Sequence, residues 1–150
     1  MSDLRDLYQE VILDHNKRPR NFRVMDDASA HAEGHNPLCG DRVTVFVRLD
    51  GNRIADVSFQ GSGCAISKAS ASLMTDSVKG QTIDSVDTLF QAFQSLVTAG
   101  PATSPDTSEI GKLEVLAGVR DYPSRVKCAT LAWHALQAAV HGGAGTVKTE

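Results

Sequence analysis

The chain has three cysteines, Cys39, Cys64 and Cys128, far apart in sequence and each beside a glycine or an expected helix start. The first lies in Asn36-Pro37-Leu38-Cys39-Gly40-Asp41, the second in Gly61-Ser62-Gly63-Cys64-Ala65-Ile66-Ser67, and the third in Arg125-Val126-Lys127-Cys128-Ala129-Thr130. Three soft thiolates and the Asp41 carboxylate make four candidate ligands, the count that a closed tetrahedral zinc site needs. Asp41 is two residues from Cys39, and an extended loop turned by Gly40 can bring both side chains to one ion. The carboxylate is the hardest donor of the four, so such a site has one weak corner where a ligand can be exchanged. A displaced Cys39, on its glycine-flanked loop, would be a free nucleophile able to attack a sulfur atom. The same residues could equally hold a two-iron cluster, because thiolates are the usual cluster ligands. Spacing alone does not choose between the two.

The bland alternative is three buried thiols acting as small hydrophobes, since free cysteine is among the most buried residue types. His15, His31, His35, His134 and His141 show no ligand spacing. His15 and His134 are expected on helix surfaces or partly packed, and His31 and His35 in the loop before Cys39. Arg125 and Lys127 precede the third cysteine, where a cation at a helix start opposes the dipole. Arg125 is therefore a candidate anion stabiliser for a thiolate, a persulfide or a partner's carboxylate.

The elements that must position these residues follow from periodicity. Leu4, Leu7, Tyr8, Val11, Ile12 and His15 recur at helical spacing, with Ser2 or Asp3 as cap, and the basic, proline-bearing Asn16-Lys17-Arg18-Pro19-Arg20-Asn21 stops that helix. Ala28 to Gly34 is expected to be a short edge strand. Val43, Val45, Val47 and Leu49 alternate with Thr44, Phe46 and Arg48, Asp50-Gly51-Asn52 interrupts, and Ala55, Val57 and Phe59 alternate again, which predicts a β-hairpin. Asp41 precedes this hairpin and Gly61-Ser62-Gly63 closes it, so two candidate ligand loops fall at one end. The alanine- and serine-rich Ser67 to Met74 suits a closely packed helix, and Ile83 to Ala99 a further one. Ala99 to Ser108, rich in glycine, proline and small polar residues, is expected to be a mobile loop. The final helix starts near Pro123-Ser124, places Cys128, Leu131, Ala132, Ala135, Leu136 and Ala139 on one face, and ends at Gly142-Gly143. Cys64 and Cys128 then both lie toward positive helix ends, where the dipole favours an anion.

At 150 residues the chain is expected to form a single domain, 1–150, without internal repeats. A hydrophobic fraction of 41%, a charged fraction of 22% and a net charge of -3 are ordinary for a soluble protein and give no sign of nucleic-acid or membrane binding. The charged Met1 to Asp6 has no apolar signal core, and no apolar run approaches the length of a membrane span, so a cytoplasmic location is expected. In that reducing compartment an odd number of cysteines argues for metal ligation or thiol chemistry over disulfides.

On these residues the chain resembles the SufU family, zinc-containing relatives of the IscU-type iron–sulfur assembly scaffolds. The resemblance rests on Leu7-Tyr8, Asp14-His15 and Pro19-Arg20-Asn21, on the three cysteine segments quoted above, on Ala69-Ser70-Ala71-Ser72, and on Leu131-Ala132-Trp133 after the third cysteine. It implies an α+β fold, with a small antiparallel sheet packed against several helices and a metal site at one edge. It also implies zinc held by Cys39, Asp41, Cys64 and Cys128, and a SufS-type cysteine desulfurase as partner. In that type a histidine of the desulfurase takes over a zinc position and frees the thiol, here Cys39, to accept persulfide sulfur for downstream Suf cluster-assembly proteins. Two departures separate the chain from the scaffold type: Lys127 stands where that type carries histidine, and Tyr122 to Lys127 lacks its chaperone-recognition motif. The sequence thus favours a zinc-dependent sulfurtransferase, with a scaffold for a nascent cluster and a purely structural zinc module as alternatives.

Overall fold

A computed structural model of the chain describes residues 3–37, 40–98, 113, 115, 116, 119, 123–141 and 146–148. The elements run α1 (Asp3–Lys17), β1 (Ala30–Asn36), β2 (Asp41–Asp50), β3 (Arg53–Ser62), α2 (Ala65–Val78), α3 (Ile83–Thr98), α4 (Pro123–Val140) and β4 (Thr146–Lys148). The sheet order is β3-β2-β1-β4, antiparallel across the first three strands, with β4 parallel to β1. This is an α+β fold, a small antiparallel sheet with helices packed against it. Among the described residues no helix is long and apolar enough to cross a membrane.

The expected hairpin is β2–β3, paired from Arg42↔Ser62 to Asp50↔Arg53 around Gly51-Asn52. Gly51 takes a left-handed φ of 64°, a conformation glycine adopts without steric cost. Alternation sends Val43, Val45, Val47, Val57 and Phe59 into the core. There β2 meets α4, whose Ala129, Leu131, Ala132, Trp133, Ala135 and Leu136 are buried, and β3 meets α2. The small residues of α2 serve as expected: Ser67, Ala69, Ser70, Ala71 and Ser72 are all buried. They let α2 lie against α1 on one side and α4 on the other, and the Ser70 hydroxyl donates to the Ala129 carbonyl.

Two expectations need correction. The strand expected over Ala28 to Gly34 is β1, shifted to Ala30–Asn36, and it is internal, because β4 pairs along its free side at Glu33↔Thr146 and His35↔Lys148. Its inward positions are Ala32, Gly34 and Asn36, which carry little strand signal. They are small because α4 passes close above: a Cβ on Gly34 would sit 3.0 Å from Leu131 Cδ1. The second correction concerns the start of α1, where Asp3 is already helical and so is not its cap. Ser2, the other expected cap, the loop expected over 99–108 and the expected helix end at Gly142-Gly143 lie outside the described residues.

His15 is buried, and its Nδ1 meets Ser72 Oγ at 2.7 Å, tying α1 to α2. The segment after α1 follows the outer edge of β3, where Phe59 N–H donates to Asn21 O and Arg23 N–H to Phe59 O. It then reaches β1 across the sheet face away from the helices, with Arg23 paired to Asp56 and Asp27 to Arg48. Both faces of the hairpin are thereby packed against, and Asp41 and Cys64 lie at the end opposite the Gly51-Asn52 turn.

Candidate functional site

Asp41 is the first residue of β2 and shares the inward phase of Val43, Val45 and Val47, so strand alternation alone drives its carboxylate under the helices. It is fully buried. Asn36, its register partner at the end of β1, is buried beside it for the same reason. Four residues, 37–40, connect these paired positions, and Gly40 N–H donates to Asn36 O at 2.8 Å across the connection. Cys39 belongs to that connection and itself lies outside the described residues.

Cys64 arrives from β3 through Gly61-Ser62-Gly63. A Cβ at Gly61 would strike the Arg42 carbonyl, and one at Gly63 would strike the Asp41 carboxylate, so both positions require glycine for close approach. Cys64 is then the N-cap of α2, half-buried, its sulfur accepting from Ser67 N–H at 3.4 Å. Its backbone N–H donates to Asp41 Oδ1 at 2.8 Å, and its thiol faces Asp41 Oδ2 at 3.7 Å. Cys128 comes from α4, fully buried, with Asn36 Nδ2 donating to its sulfur at 3.7 Å.

The ligand atoms of Asp41, Cys64 and Cys128 all lie within 4.8 Å of one another. Tetrahedral zinc at usual bond lengths sets its sulfurs about 3.8 Å apart and sulfur from oxygen about 3.5 Å. The donor set of two thiols and a buried carboxylate thus fits a divalent cation in both chemistry and spacing. Among the described residues, the groups that reach the Asp41 carboxylate come from Cys64, and no lysine or arginine forms an ion pair with it. A buried carboxylate without a charged partner is costly, and a metal ion would supply that partner.

Cys64 occupies the helix N-terminus as expected. Cys128 differs: α4 begins at Pro123, so this thiol is in the second turn, where the dipole has largely decayed. Arg125 is the third residue of α4 and exposed, one turn before Cys128. His31 and His35, expected in a loop, belong instead to β1 because that strand runs on to Asn36, and they occupy its outward phase, facing away from the Asp41, Cys64 and Cys128 cluster, with His31 against Phe46. His134 lies edge-on to Phe90, and burial holds its imidazole below its ordinary pKa. Sequence reasoning assigned no role to Asn36 and gave Gly63 only a place in the turn that closes the hairpin. The signal for both is adjacency to a candidate ligand, within Asn36-Pro37-Leu38-Cys39 and Gly63-Cys64.

Residues 7–129 match the model of the NifU-like N terminal domain. The zinc-dependent sulfurtransferase SufU of Bacillus subtilis is 41% identical over 93% of this chain and 92% of its own length. The iron–sulfur cluster assembly scaffold protein IscU of Streptococcus pyogenes serotype M1 is also 41% identical, over 93% of this chain and 86% of its own. Among solved structures, a putative iron–sulfur cluster assembly scaffold protein for the SUF system from Fervidobacterium islandicum superposes with a TM-score of 0.81 at 33% identity, covering 87% of this chain and 94% of that one. Shared fold, shared length and the matched stretch through all three cysteines agree, and the chain belongs to the family of NifU-like N-terminal domains, with SufU- and IscU-type proteins as its relatives.

Proposed function

We propose that the chain acts in the cytoplasm, as a single domain, as a zinc-dependent sulfurtransferase. It accepts persulfide sulfur from a SufS-type cysteine desulfurase at Cys39 and passes it into iron–sulfur cluster assembly. The observation that carries this reading is the convergence of the buried Asp41 carboxylate with the Cys64 and Cys128 thiols within 4.8 Å, at the hairpin end reached by the Cys39 connection. Cys39, Asp41, Cys64 and Cys128 would hold zinc, which when bound supplies the positive charge that keeps thiols as thiolates.

The chain's own residues do the rest. Asp41, Cys64 and Cys128 stay in place, fixed by strand phase, helix cap and α4. The Cys39 thiolate attacks the terminal sulfur of the desulfurase persulfide. A new S–S bond forms on Cys39, the donor S–S bond breaks, and the donor cysteine leaves as a thiolate, so charge and electrons balance without an added oxidant. Arg125, exposed one turn from Cys128, stabilises the persulfide anion or a partner carboxylate.

The scaffold reading is favoured by one finding, the equal 41% identity to a protein named as an iron–sulfur scaffold. Intact mass of the zinc-loaded protein after incubation with cysteine and a SufS-type desulfurase, without iron, separates the two. Added sulfur mapping to Cys39 is expected. A chain that gains no sulfur and instead builds a stable cluster once iron is supplied would replace sulfur transfer with the scaffold role.

A further inference from the structure

Asn36 touches the site in two ways at once. Its backbone carbonyl accepts from Gly40 N–H at 2.8 Å and so closes the connection that carries Cys39. Its side chain, fully buried, reaches across to Cys128 Sγ with Nδ2 at 3.7 Å. A thiolate only accepts hydrogen bonds, so the amide must present its NH2 end to this sulfur. An N–H bonded to a thiolate draws off part of its charge, which makes the sulfur a poorer nucleophile while fixing its direction toward a metal. Cys64 is held differently, at a half-exposed helix cap by the Ser67 N–H at 3.4 Å.

We infer that Asn36 is a positioning residue that decides which thiol the metal centre keeps. It holds Cys128 as the retained, unreactive ligand and at the same time closes the 37–40 connection, leaving sulfur acceptance to the thiol on that connection. The inference rests on the metal-site reading above and adds a residue that no ligand count would include. It also accounts for the burial of an amide at the inward end of β1, where an apolar residue would continue the pattern of Ala32 and Gly34.

The test uses the wild-type chain loaded with the spin-active cadmium isotope in place of zinc. Magnetic resonance should place the metal in the thiolate-rich shift range and show scalar coupling from the Asn36 side-chain amide protons to the metal, through the Cys128 sulfur. A thiolate-range metal signal without that coupling overturns the role of Asn36 alone. A metal signal outside the thiolate range overturns the site reading and the inference with it. Asn36→Asp supplies the second arm, since it keeps the volume but turns an acceptor toward the sulfur. In the zinc-loaded variant, metal affinity should fall by about 10-fold or more, and the cobalt-substituted form should shift its thiolate charge-transfer band. Sulfur transferred from the desulfurase should then appear on Cys128 as well as Cys39. An unchanged band together with an unchanged sulfur map would also overturn the inference.

Discussion

Asp41 and Asp56 belong to the same hairpin and meet opposite surroundings. Asp56 lies on the outward phase of β3, where Arg23 reaches it at 2.7 Å and Lys79 at 3.3 Å. Burial raises its carboxyl pKa, but hydrogen bonds from Arg23, Lys79 and the Val57 N–H outweigh it, and the net shift is downward. Asp41 lies on the inward phase, fully buried, with the amide and thiol of Cys64 at its oxygens. One carboxylate is neutralised by the chain's own cations and fastens the 21–27 segment to the sheet. The other is placed where two thiols, and no ion pair among the described residues, surround it. The chain thus completes one site from its own charges, while the donor set of the other could hold a metal ion.

The contrast breaks most severely at Cys128. Cys128→Ser removes the buried sulfur of a proposed ligand and should abolish zinc retention through gel filtration, read by elemental analysis, along with sulfur acceptance. Asp41→Asn comes next: it keeps an acceptor for the Cys64 N–H but removes the charge. Zinc affinity measured by chelator competition should fall by more than about 10-fold, beyond what an outer partner alone is worth. Undiminished affinity would show that Asp41 is not a ligand. Gly63→Ala pushes a methyl group into the Asp41 carboxylate. It should cost about 1–3 kcal/mol of stability as an overpacked site and weaken zinc binding as well, both visible in metal-dependent thermal unfolding.

Asp56→Asn is the smallest change and the control for the comparison. Its cation partners are about half exposed, so the loss should stay below about 1 kcal/mol, with zinc affinity unchanged. The pH dependence follows in sign. The carboxyls of Asp14, held down by the Arg20 hydrogen bond, and of Asp56 both lie below their ordinary value of 3.8 when folded. Their contribution is present above that value and is lost as pH falls through the lower folded value. Unfolding profiles below pH 3.8 should therefore be flatter in Asp56→Asn than in the wild type, and parallel profiles would contradict the pairing.

Much of this arrangement is legible from residue order alone. The hairpin and α3 announce themselves through periods of two and of three to four, because their inward positions are mostly large and apolar, whereas α2 shows itself by its run of small residues. β1 was harder to place, since its inward Ala32, Gly34 and Asn36 are chosen for the close approach of α4 and for Cys128, not for strand propensity. β4, three residues long, offers no period to detect, which is why β1 looked like an edge. At the site, residue type was enough to nominate Asp41, Cys64 and Cys128. The geometry added what type cannot carry: that Gly63 makes room for Asp41, that Asn36 faces Cys128, and that Cys128 lies too deep in α4 to benefit from its dipole.

The Asp41 end of the hairpin is proposed as a metal centre built from three thiols and one carboxylate. Zinc-edge X-ray absorption on the protein as purified tests it most directly. One shell of three sulfurs at about 2.3 Å and one oxygen at about 2.0–2.2 Å is expected, with the oxygen contribution altered in Asp41→Asn. A first shell of nitrogen and oxygen without thiolate sulfur would contradict it.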